Sequence, residues 1–475
     1  MTPTHQANSP IGSQVLWIIS AVIFCFAVPA WFYQATGGLT NDRNPWWSTA
    51  VIVFAGLAYA GVIASKRRQL YSMVVWLFTY LFMGLAPYVQ YRLDTMPGTT
   101  PQVDTSLLPI ASGLVIVAGI AYLVGGYFAR GRRSGAQTVF RVNRRRANIL
   151  TAITIGLFAY YASKVGPSSY FLSRTEFMMV KQMTWPNPTL LALLTGAMTM
   201  GLLVAFLAQM TVRRQMKMAC INPPVLPAVV VAGLLLFISN PISSPRSAVG
   251  NLILSMIAAF GAYATLTRFR VVCAAALVGM LTIFPLADLF RHSTDATFKA
   301  ESPVTALTSG DFDAFAQVVN SLDYVSTQGI TWGQQLLGVL LLWVPRSIWP
   351  GKPEDTGIVL AEHMGYQFTN ISAPFWAEMT INFGFLGAIV GMGALGYWFH
   401  VLDSRTDFHL RFHAMPPVVV CATAFYMLVF LRGSMLTVSA YLLVILLASW
   451  FVTERGRTSP AHFQAMSSPT PERVT

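Results

Sequence analysis

Charge is what this chain has least of. Asp, Glu, Lys and Arg make up 10% of its 475 residues, against roughly 25% in soluble domains. Acids are scarcest, at 18 beside 31 basic residues. Four cysteines are present, and none lies in a long polar loop, so neither a disulfide framework nor a cysteine zinc site is expected. Neither an HxxxH nor an HExxH metal motif is expected among the seven histidines, which leaves a metal site without support. The basic residues lie in short loops between apolar runs, a placement that argues against nucleic-acid binding despite a pI near 9.8.

What remains is hydrophobic. Apolar residues make up 55% of the chain and mean hydropathy is +0.56. Long apolar runs recur along the whole length, the pattern of an all-α polytopic membrane protein. The first run, from Ile11 to about Tyr33, lacks a basic region before it and is too long for a signal peptide; it reads as a retained helix. Twelve spans are expected, at 13–33, 46–65, 70–92, 106–129, 147–163, 190–211, 224–239, 249–266, 271–290, 374–400, 414–432 and 435–453. They form a single transmembrane domain, 1–453, in which 291–373 is a large loop between spans nine and ten. A Ser/Thr/Pro-rich tail, 454–475, is expected to be disordered.

Lys and Arg placement sets the orientation. Twenty of the 31 basic residues follow even-numbered spans, including Lys66-Arg67-Arg68, the Arg130–Arg146 cluster and Arg213-Arg214. That side is expected to be cytoplasmic, with both termini, and the 291–373 loop extracytoplasmic.

Four extracytoplasmic segments carry candidate chemistry. Tyr170, Arg174 and Lys181 share one expected helical face after span five, a pattern that also describes a plain surface helix. Arg246 stands in a Pro/Ser/Gly turn between spans seven and eight, either lining a cavity or snorkelling from a helix end. In the long loop, Phe312, Phe315, Val319 and Leu322 mark an amphipathic helix, with Asp311 as its N-cap rather than as half of a metal-binding Asp-x-Asp pair. Ile330–Trp343 is apolar but short, the length of a re-entrant or interfacial helix. Then come Pro345, Pro350 and Pro353 within nine residues, a stiff non-helical turn that presents Arg346 and Lys352. At the start of span ten, Glu378 and Asn382 fall at i and i+4 on an otherwise apolar helix. An acid there marks a functional site or pairs structurally with Arg346 or Arg246.

These residues carry a resemblance. Asp313-Ala-Phe, Gly338, Val344-Pro-Arg346-x-x-Trp349-Pro-x-Lys352-Pro, then Glu378 and Asn382-Phe-Gly384-x-x-Gly387 resemble the oligosaccharide repeat-unit polymerases, the Wzy-type or O-antigen polymerases. The Ser-Ser-Pro-Arg246-Ser turn is similar to their mid-chain arginine turn. The resemblance implies a GT-C-like membrane glycosyltransferase layout in the bacterial plasma membrane, with its active site outside. It implies glycosyl transfer, retaining or inverting, from a glycan on undecaprenyl diphosphate to a repeat unit on a second undecaprenyl diphosphate. No metal cofactor is expected. A chain-length regulator and a flippase are the partners such a system implies.

A departing diphosphate needs positive charge, which arginine supplies bidentately. Arg246, Arg346 and Arg174 are the first candidates, with Lys352 and Arg291 as further phosphate contacts. The acceptor hydroxyl needs a base, for which Glu378 is the first candidate and His363 the second. Asp323 and Asn382 could orient substrate, and Tyr324, Trp349 and Trp332 offer faces for sugar stacking. A lipid A–core O-antigen ligase, a lipid-linked glycan flippase and a secondary transporter are the competing readings. The first cytoplasmic loop lacks the Gly-x-x-x-Asp-Arg pattern of the major facilitator class, and the cations cluster on outside turns rather than in a central cavity.

Overall fold

A computed structural model describes residues 10–130, 138–240, 243–244, 246–286 and 302–457. Within them the protein is all-α apart from one short antiparallel pair of strands. Seven helices are long and apolar enough to cross a membrane: Ile11–Ala35, Trp46–Ala64, Leu70–Leu93, Thr105–Arg130, Leu190–Met218, Phe375–His409 and Met435–Val452. Inside hydrocarbon every backbone N–H and C=O must be satisfied locally, which a helix does by itself.

Helix occurs at each of the twelve expected positions, with different bounds. Leu226–Ile238 and Ala248–Ala259 are apolar but short; about thirteen residues rise roughly 20 Å, less than the ~30 Å hydrocarbon core. The helix expected at 271–290 already begins at Leu266, and the one expected at 414–432 divides into Val418–Thr423 and Tyr426–Arg432. The expected tail does not start at 454: Thr453–Arg457 pairs with Thr138–Val142.

Helix Leu70–Leu93 is the centre of the bundle, its apolar window wholly buried. Helix 105–130 crosses helix 375–409 at glycines. A Cβ on Gly125 would lie 2.0 Å from the Gly393 carbonyl oxygen, and one on Gly396 2.1 Å from that of Tyr122. The two backbones touch, as small residues permit between membrane helices. Toward its C-terminal end, helix 375–409 is tied to the bundle centre by Asp403, which accepts from the Tyr71 and Ser72 amides and the Ser72 hydroxyl at 2.7–3.1 Å. Asp407 binds Arg68 Nε at 2.8 Å.

Helix 375–409 is kinked. Phe383 (φ −143°, ψ 15°) and Gly384 (φ 68°, ψ −160°) leave helical geometry, and Gly384 supplies the positive φ. The kink divides an N-terminal segment bearing Glu378 and Asn382 from the remainder.

Two local expectations change in the extramembrane segments. The amphipathic face of 312–322 is buried as expected, with Phe315 stacked on Trp47 at 5.3 Å. Its helix, however, is Ala314–Gln328, with Asp313 at the N-cap position; Asp311 lies in the preceding 3-10 turn. Tyr170 does not share a helical face with Arg174 and Lys181. It is buried in the 3-10 turn Pro167–Phe171, ahead of helix Arg174–Thr184, which opens with a Ser173–Glu176 capping box. The apolar stretch 330–343 contains only the helix Gln334–Leu340, far too short to span.

Candidate functional site

The site forms where the N-terminal segment of helix 375–409 meets the 330–363 segment. The Glu378 side chain is buried at 1% exposure. Its carboxylate accepts from the Met435 amide at 2.7 Å, the Thr356 hydroxyl at 2.8 Å and the Ser434 hydroxyl at 3.1 Å. Its carboxyl group is therefore met by neutral donors, and Arg346 is not among these hydrogen-bond partners. One turn on, Asn382 donates to the Glu378 carbonyl at 2.8 Å and accepts from the Leu336 amide at 3.3 Å. The Thr331 and Gly333 amides donate to the Ile381 and Asn382 carbonyls at 2.9 and 3.2 Å. These are carbonyls just before the kink, so the 330–336 turn covers the break in the helix. Trp332, at the crest of that turn, has φ 53° and is 79% exposed.

The proline turn packs beside this. Arg346 Nη1 and Nη2 donate to the Lys352 and Pro353 carbonyls at 2.8 and 3.2 Å. Lys352 is buried, and Nζ donates to the Leu342 and Val344 carbonyls at 2.8 and 3.0 Å. Burial first, and Arg346 second, hold the Lys352 amine below the usual lysine range. Both cations thus brace the turn: Lys352 from inside, Arg346 from an exposed position with donors to spare for a ligand. Trp349 closes the turn, its carbonyl accepting from the Lys352 amide at 3.1 Å. Gly338 lets the short helix rest on Pro353, whose ring a Cβ would meet at 3.2 Å. From Pro353 the chain takes three residues, roughly 10 Å at full extension, to reach Thr356 and its bond to Glu378.

His363 and Asp323 form a second part. His363 Nε2 lies 2.8 Å from Asp323 Oδ2, both partly exposed, and the Tyr324 ring meets the imidazole edge-on at 5.2 Å. Asp323 therefore orients His363, a role the sequence left open to a sugar.

Arg432 went unnoticed in the sequence. Its guanidinium binds the Asp311 and Gly310 carbonyls at 2.8 and 3.1 Å and Asp313 Oδ1 at 3.2 Å, while Asp313 Oδ2 accepts from the Ser372 amide at 3.1 Å. Arg432 leads directly into Ser434 and Met435, the donors to Glu378. The available signal was a cation at a helix end on the side poor in basic residues.

The remaining candidates do not join this cluster in the described residues. Arg174 lies on helix Arg174–Thr184; Asn240, ahead of the Arg246 turn, donates to the Tyr170 carbonyl at 3.0 Å and so ties the two segments together. Arg246 opens helix Arg246–Ala259, and its side chain lies outside the described residues, as does all of Arg291. His409 and His413 stand at i and i+4, against the expectation of no HxxxH pair, with rings stacked at 4.2 Å. Among the described residues no group of three His, Cys, Asp or Glu side chains is placed to hold a metal ion.

No protein-family model, curated protein or solved structure matches this chain.

Proposed function

We propose that this membrane protein polymerises undecaprenyl-diphosphate-linked oligosaccharide repeat units at the outer face of the bacterial plasma membrane. One observation carries the reading. The residues of the motif, scattered from 313 to 387 in sequence, converge at one end of helix 375–409. Arg346 and Lys352 set the proline turn, Gly338 packs on Pro353, Glu378 binds Thr356, and Asn382 holds the 330–336 turn. Asp313 joins through Arg432.

In this mechanism the glycosidic carbon–oxygen bond to the donor diphosphate breaks and a new one forms to an acceptor hydroxyl. Arg346 meets the growing charge on the diphosphate; two guanidinium N–H groups hold the turn and the others turn to phosphate oxygens. Arg246 and Arg174 come from the second cationic segment. His363, its Nε2 on Asp323, takes the hydroxyl proton at Nδ1. Glu378, enclosed by three donors, positions the Thr356 and Ser434 segments around the reacting groups. Trp332 and Trp349 supply sugar-stacking faces, and charge neutralisation by arginine needs no metal.

The test is complementation of a polymerase-deleted strain, with surface glycan resolved by gel. Wild-type protein restores a ladder, whereas Arg346→Ala and Arg346→Lys, present in the membrane at wild-type level, give single-repeat glycan. A normal ladder from both variants refutes the assignment.

A further inference from the structure

The far end of helix 375–409 carries a different site. His400 and Asp403 lie 22 and 25 residues beyond Glu378, roughly 33–38 Å along a helix, which is the opposite membrane face. They line a cavity of about 350 Å³ where the 65–69 turn meets helices 105–130 and 375–409. Lys66, Arg67 and Arg130 bring three positive charges to it. The single acid in its lining, Asp403, is engaged by the Tyr71 and Ser72 amides and the Ser72 hydroxyl. His400 places Nδ1 2.9 Å from the Gly396 carbonyl, which leaves Nε2 as its other polar atom.

Beside this cavity lies a second, open hollow of about 380 Å³ between helices 11–35 and 46–64. Trp17, Ile18, Gly61 and Ala64 make it largely apolar. Ser65 lines both spaces. A Cβ on Gly61 would have no atom within 4 Å, so the floor of the groove is vacant there.

A cationic cavity sharing a wall with an apolar groove at a membrane face matches one class of ligand, an anionic amphiphile. The groove excludes a free anion as the natural occupant, because inorganic phosphate would leave it unused. We propose that this face binds one anionic phospholipid, with its phosphate among Lys66, Arg67 and Arg130 and an acyl chain along helix 11–35. The lipid would bridge the ends of four membrane helices. This site does not depend on the glycan chemistry at the other face.

Native mass spectrometry of the purified full-length protein, released from micelles containing equal phosphatidylglycerol and phosphatidylcholine, tests the proposal. Phosphatidylglycerol is expected to be retained in preference and to raise the unfolding temperature. Lys66→Gln/Arg130→Gln, at two exposed positions, should cut its retention by roughly tenfold or more while leaving the unfolding temperature in phosphatidylcholine unchanged. Gly61→Leu, which fills the groove, should cut it too. Equal retention of the two lipids overturns the proposal. So does stabilisation by inorganic phosphate that matches the lipid and survives Gly61→Leu, since the site would then hold phosphate alone.

Discussion

Glu378 shows how one residue can be visible in sequence while its work is not. A carboxylate four residues from Asn382 on an apolar helix stands out by periodicity alone. Its three donors come from positions 356, 434 and 435, which only the folded chain brings together. Glu378→Ala would leave those donors buried without an acceptor, at about 1–3 kcal/mol each. Thermal unfolding in detergent should show a large loss for Glu378→Ala and a smaller one for Glu378→Gln, which keeps one carbonyl oxygen. Equal stability of all three proteins would contradict a positioning role. The same limit applied to Arg346 and Lys352. Three prolines announce a stiff turn, but not that its two cations bind its own carbonyls. Arg432 escaped notice because its partners lie some 120 residues earlier in the chain.

Lys181 gives a pH test at the same scale. Burial first, and Arg174 second, bring its amine down from 10.5 to about 8; it rests over the Phe177 ring at 4.5 Å. Its folded pKa is lower than its unfolded one, so between those values the unfolded chain binds more protons. Stability from this group therefore rises with pH from about 8 toward 10.5. The unfolding temperature of the wild type relative to Lys181→Met should climb between pH 7.5 and about 10. A constant difference would show that the amine titrates alike in both states.

Among elements, length and apolarity identified helices well, because a membrane span has few alternatives. They located helix at all twelve places but not the break between Thr423 and Tyr426. Those bounds depend on packing against neighbours, which periodicity does not report. Glycine roles were equally hidden. Gly396 and Gly113 both sit in apolar helices, yet a Cβ on Gly396 meets the Tyr122 backbone while one on Gly113 meets nothing. Backbone cannot move aside as a side chain can, so Gly396→Ala should cost at least the ~1–3 kcal/mol of overpacking. Gly113→Ala should be neutral or slightly stabilising. Unfolding temperatures of the two variants check this, and a reversed order would exclude close contact of helices 105–130 and 375–409.

For the whole molecule, the proposed reaction requires the proline turn to face the cell exterior, as the asymmetry of basic residues predicts. Cys220 is exposed, whereas Cys25, Cys273 and Cys421 are buried, so Cys220→Ser provides a quiet background for labelling. An impermeant thiol reagent applied to intact spheroplasts should modify Ser347→Cys and spare Lys217→Cys. The charge pattern is the ground for expecting this orientation. The convergence of Asp313 and Arg346 with the Glu378–Asn382 turn was not legible beyond the resemblance, since these lie on three different segments.

The decisive measurement is incubation of the purified protein with a defined repeat unit on undecaprenyl diphosphate, with EDTA present. The expected result is a series of longer lipid-linked glycans, with one undecaprenyl diphosphate released for each bond formed and no series from Arg346→Ala. Substrate that remains a single repeat, under conditions where the protein is folded and binds it, would show that this chain does not join repeat units.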